Sequence, residues 1–139
     1  MSSKSTGIVA LVLLLATTLN VTGCQNVQQT PGTLEGTVAI GPIWPVERPG
    51  ENRPIPPQVF ESRKVIVYNE SKTKALKTID LVQIGQSSKA KFNVQLTPGQ
   101  YVVDITHGGI DRSSEVPKKI EIKPGQKVVV DINIDTGIR

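Results

Sequence analysis

From Leu34 to Ile134 apolar side chains recur at every second position in short runs, and most runs stop at a proline, a glycine or a polar cluster. Alternation with period two puts successive side chains on opposite faces of an extended chain, so this body is built of strands. Leu34, Gly36, Val38 and Ile40 share one face of a first strand, with Glu35 and Thr37 opposite. Residues 63–69 form a β-branched run suited to burial on both faces. Residues 74–82 fit either a strand or one helical turn. Phe92, Val94 and Leu96 alternate with Lys91, Asn93 and Gln95, and Tyr101, Val103 and Ile105 resume the inward face. Val116, Ile120 and Ile122 follow, then Val128, Val130, Ile132 and Ile134.

Thr97-Pro98-Gly99-Gln100 joins two of these runs with Pro at i+1 and Gly at i+2, the type II pattern, and predicts a hairpin. Lys123-Pro124-Gly125-Gln126 repeats it. The sum is an all-β fold, a single antiparallel sandwich of about seven strands over residues 33–139. No strict repeat of 20–50 residues is present.

The amino-terminal segment fixes the compartment. Residues 1–7 carry Lys4 and no acid, and residues 8–16 are unbroken apolar. A spanning helix needs about 20 apolar residues, so this run has signal-peptide dimensions. Val21-Thr22-Gly23 then precedes the chain's single cysteine, Cys24. The pattern resembles the bacterial lipobox, which implies cleavage after residue 23 and acylation of Cys24. Residues 1–23 are therefore read as a lipoprotein signal peptide. Residues 24–32 are the lipidated cysteine and a flexible, polar tether ending in Pro31-Gly32. A lone exported thiol has no disulfide partner, and lipidation accounts for its place. Gln25 is not the aspartate that retains some lipoproteins in the inner membrane, so either the cell membrane or the outer membrane, on the extracytoplasmic face, fits.

Gly36-Thr37-Val38, GPIWPVERPG at 41–50, LTPGQYVVD at 96–104 and IKPGQKVVVDINIDTGIR at 122–139 resemble one group of bacterial secreted proteins. These carry a carboxypeptidase regulatory-like domain, also called transthyretin-like or prealbumin-like. The resemblance spans about residues 33–139 and implies a prealbumin-like sandwich with no established activity. Relatives often carry cysteines where this chain has Trp44 and Arg53, so packing must secure that loop here. They also favour an acid and a glycine where Ser87-Ser88-Lys89-Ala90 stands.

Little in the sequence suggests catalysis. One His and one Cys cannot make a zinc cluster. His107, between Asp104 and Ser113-Ser114, lacks a nucleophile elbow. Asp104, Asp111 and Glu115 miss the calcium-loop spacing. Asp135-Thr136-Gly137 spells the aspartic-protease triplet four residues from the last residue, where a turn is the simpler use. A strand crosslink to Asn133 has no first-strand lysine to use, because none stands between Cys24 and Lys64. The net charge of +4 is spread over separate lysines. A nucleic-acid surface would want a basic stripe with exposed stacking rings, and no such partner is expected. Weak attraction to anionic headgroups is one use for the excess charge, but a solvated strand face is the preferred reading.

One segment exceeds structural need. Gly41 to Pro57 holds six prolines and the only tryptophan, with Arg48 and Arg53 close by. Long loops in compact domains are functional or disordered, and prolines lower the cost of ordering them. Two uses of Trp44 stand open: a cover for one end of the core, or the anchor of a binding loop with Arg48 and Arg53. The chain reads as a non-enzymatic, membrane-anchored envelope lipoprotein, held to lipid through Cys24, that binds or scaffolds an envelope protein or glycan. No cofactor or metal is called for. The alternative is an accessory subunit that supports a separate envelope enzyme. Mass spectrometry of the mature amino terminus should find Cys24 acylated; an unmodified peptide starting elsewhere would refute this.

Overall fold

The computed structural model describes residues 28–46, 48–106 and 108–139. Cys24 and the leader thus lie outside the described residues. The strands are β1 (Gly32–Gly41), β2 (Lys64–Asn69), β3 (Ala75–Asp80), β4 (Val82–Gln83), β5 (Lys89–Leu96), β6 (Gly99–Ile105), β7 (Lys118–Ile122), β8 (Lys127–Val129) and β9 (Ile132–Asp135). A single helical turn, α1 (Gln58–Glu61), precedes β2. One sheet runs β4-β5-β1, with β8 and β9 end to end along the far edge of β1; the other runs β3-β2-β6-β7. The protein is all-β, and most of its strand pairs are antiparallel.

Alternation dictates the core. Leu34, Val38 and Ile40 of β1, Val65 and Val67 of β2, and Val103 and Ile105 of β6 belong to one hydrophobic cluster drawn from both sheets. Each such aliphatic side chain contributes about 1.5–3 kcal/mol by leaving water. Lys72 and Gly85 take positive φ in the tight β2–β3 and β4–β5 connections, 56° and 60°. Asn69 closes the first of these by accepting from the Thr73 and Lys74 amides at 2.8 and 3.0 Å.

Four expectations need correction. Nine strands are present among the described residues instead of about seven, because the final run breaks into β8 and β9 and residues 75–83 give β3 and β4. Pairing is not antiparallel throughout: β1 runs parallel to β8 and β9. Strands far apart in sequence have no tight turn to force antiparallel order. The turn at residues 97–100 is not a hairpin, since β5 and β6 lie in different sheets. Gly99 has φ 158°, far from the +80° or so of a type II turn. The segment is a corner between sheets, latched by Tyr101, whose hydroxyl donates to the Thr97 carbonyl at 2.6 Å. Such a latch resembles a tyrosine corner. The second Pro-Gly turn likewise carries the chain from β7 to β8, between sheets, with φ 65° at Gly125 and a Gln126 amide to Lys123 carbonyl bond of 3.2 Å.

The break between β8 and β9 has a physical cause. Both strands keep one register against β1, Glu35 with Val129 and Val38 with Ile132. Between them, the Val130 carbonyl lies so close to Gly36 that an added Cβ would sit 1.8 Å from its oxygen. Asp131 supplies the acceptor that the ladder loses, taking the Thr37 amide and hydroxyl, both at 2.9 Å.

The register also sorts the connections into two ends. Segments 70–74, 97–98 and 123–126 lie at the end where the chain enters β1, which we call proximal. Segments 42–63, 84–88, 106–117 and 136–139 lie at the opposite, distal end. Gly36→Ala should cost about 3 kcal/mol by overpacking, far more than the roughly 0.4–1 kcal/mol gained from a stiffer unfolded chain. In a thermal melt it should lower the midpoint by more than about 10 °C. Gly108→Ala, with nothing within 4 Å of the new Cβ, should melt like the parent. Equal midpoints for all three proteins would contradict the close approach.

Candidate functional site

The distal end is held together by groups from both termini of the domain. Where β1 stops at Gly41, Thr136 donates its amide to the Gly41 carbonyl at 3.1 Å and its hydroxyl to the Pro42 carbonyl. Asp135 and Arg112 exchange backbone hydrogen bonds at 2.7 and 2.8 Å. Arg63, just after α1, forks onto Asp111 at 2.7 and 3.0 Å and also donates to the Val59 carbonyl at 2.8 Å. That pair is largely buried and ties the β6–β7 connection to α1. The two segments most particular to the resemblance, GPIWPVERPG and DTGIR, therefore touch in space through Thr136.

On this base the 42–57 loop is folded by its own sequence. Arg48-Pro49-Gly50-Glu51 forms a turn with φ 85° at Gly50 and the Glu51 amide on the Arg48 carbonyl at 3.1 Å. Ile43, Ile55 and Val59 pack against the core, and Phe60 is buried in it. Trp44 is only half-buried and stands outside that cluster. The Arg53 guanidinium lies 5.7 Å from the indole centroid and pairs with Glu51 at 2.9 Å. Such stacking fixes the orientation of the ring while leaving part of it in solvent.

Trp44, Arg48 and Arg53 line one shallow cleft of about 230 Å³ together with Glu51, Asn52 and Gln86. The three candidate residues named from sequence are thus brought to one place. Sequence inspection missed Asn52, Gln86 and Ser88. The last two come from the β4–β5 turn, and nothing local links that turn to Trp44. The link is the β1–β5 pairing, extended by the Ile40 amide on the Ser88 carbonyl at 2.9 Å. Ser88 also borders a second cleft, about 640 Å³, lined by Arg112, Glu115, Asn133 and Asp135.

The carboxylates weighed as metal ligands do not converge. Asp104 is buried, paired with Lys72 at 2.6 Å and accepting the Ile105 amide at 2.8 Å. Asp111 is held by Arg63. Glu115 accepts from the Ser113 hydroxyl at 2.8 Å and from Asn133 at 3.2 and 3.3 Å. His107 lies outside the described residues. In the Asp-Thr-Gly triplet Asp135 accepts the Gly137 amide at 2.9 Å and pairs with Arg139 at 3.0 Å. Arg139 and that amide lower the Asp135 pKa. No family model matches this chain, and no curated protein matches it.

The Ser113 hydroxyl, and after it Asn133, hold the Glu115 carboxyl at about 2, down from 4.5. A pKa lower in the folded than in the unfolded state gives stability that is complete above about pH 4.5 and lost as the pH falls towards 2. Glu115→Gln should therefore flatten the acid limb of the stability curve in that window. Parallel curves for variant and parent, followed by urea midpoints against pH, would contradict the assignment.

Proposed function

We propose that this chain is a lipid-anchored, extracytoplasmic module that binds or scaffolds an envelope protein or glycan and does no chemistry of its own. Its fold is read as a β-sandwich of the carboxypeptidase regulatory-like, prealbumin-like kind. Two sheets with a common hydrophobic cluster and a tyrosine latch support that reading. The short apolar leader and the lone cysteine behind Gly23 support acylation at Cys24. The carboxylates of the distal loops are engaged in holding the loops, which supports a non-catalytic role.

The observation that carries the binding role is the state of Trp44. The core is closed by aliphatic residues and Phe60 without Trp44, so a large, oriented, partly exposed indole is left over with Arg48 and Arg53 lining the same cleft. Binding surfaces are enriched in tryptophan and arginine because each joins contact area to directed polar reach. Trp44→Ala should weaken capture of the envelope partner at least about tenfold, a loss near 1.4 kcal/mol, while the melting midpoint stays close to the parent value. A drop in stability of about 3–5 kcal/mol, as for a buried aromatic, would mean that Trp44 is structural and would end the binding-loop reading.

A further inference from the structure

We propose that the proximal end of the domain docks on an anionic lipid surface through lysine side chains, so that the domain stands upright with Trp44 pointing away from the bilayer. This rests on the acylated Cys24 of the preceding reading. Eight residue steps separate Cys24 from Gly32, the first residue of β1. Fully extended they reach about 27 Å, so acylation keeps the proximal end within that distance of the headgroups. β1 itself is ten residues long, about 30 Å, and separates that end from the distal loops.

The two ends carry different cations. Segments 70–74, 97–98 and 123–126 contain Lys72, Lys74 and Lys123 and no arginine, and Lys127 opens β8 beside them. Glu70 is the one acid in these segments; Glu121 in β7 lies a residue further in. All five arginines, Arg48, Arg53, Arg63, Arg112 and Arg139, fall in the distal segments, which contain no lysine. Lys64, Lys89 and Lys118 open strands at that end as Lys127 does at the other, but with Asp80 and Asp135 also there the acids nearly balance the cations, so the distal end has the smaller cationic excess.

The proximal lysines are exposed. Lys72 leans over Tyr68 to Asp104 and Lys127 reaches Glu35 at 3.0 Å. Lys74 and Lys123 form no ion pair among the described residues. A lysine ammonium is a mobile, strongly hydrated point charge that suits diffuse attraction to lipid phosphates. Each one near an anionic leaflet adds attraction within about a Debye length, so the docking must fade in salt.

The test uses the acylated protein in vesicles with a fluorescent acceptor on a headgroup, and reads energy transfer from Trp44, the only tryptophan. One set of vesicles is pure phosphatidylcholine; in the other about one lipid in three is phosphatidylglycerol. Docking should make transfer at least about twofold weaker on the anionic vesicles, because Trp44 is held away. Raising salt to about 0.5 M should abolish the difference for the unmodified protein. Lys74→Gln with Lys123→Gln should abolish it at low salt, with an unchanged melt. Equal transfer on both vesicle types for protein that stays bound overturns the docking and leaves the anchor standing. Protein that does not stay with either vesicle overturns the anchor, and the docking falls with it.

Discussion

The approach of the Val130 carbonyl to Gly36 governs how this domain closes. Only a residue without a Cβ lets the last stretch of chain lie that close to the middle of β1. The ladder must break there, and Asp131 mends it by accepting the Thr37 amide with its side chain. Because register is kept across the break, β9 continues along β1 to Gly41. Asp135 and Thr136 are then delivered to the base of the proline-rich loop and to Arg112.

The distal end is consequently a structured platform made from distant parts of the chain. Thr136 holds the start of the loop, Arg63 holds the β6–β7 connection against α1, and the β4–β5 turn closes the side of the cleft. Each buried polar side-chain atom among the described residues has a partner. A loop with six prolines on such a base has little conformational freedom left to lose. The proximal end is plainer: short turns, a tyrosine latch and lysines.

Much of the strand inventory was legible, because Val65 with Val67 and Phe92 with Leu96 mark buried faces by spacing alone. Partnership was not. Pro98-Gly99 announces a tight change of direction, but whether the next strand pairs with the last one or crosses to another sheet depends on residues far away. Here Tyr101 and the pairing of β6 with β2 decide for crossing. The parallel placement of β8 and β9 was illegible for the same reason. At the candidate site, Trp44, Arg48 and Arg53 stood out by type and proximity in sequence. Gln86 and Ser88 joined them only through the β1–β5 register, for which no local signal exists.

Trp44 is an oriented side chain outside the core. As the sole tryptophan, it can be followed by acrylamide quenching of steady-state emission in the folded protein. The structure predicts quenching well above that of a core indole but below that of the urea-unfolded chain, with an emission maximum between the two. A blue emission that acrylamide barely quenches would contradict it, placing the indole in the core and leaving the distal cleft without its anchor.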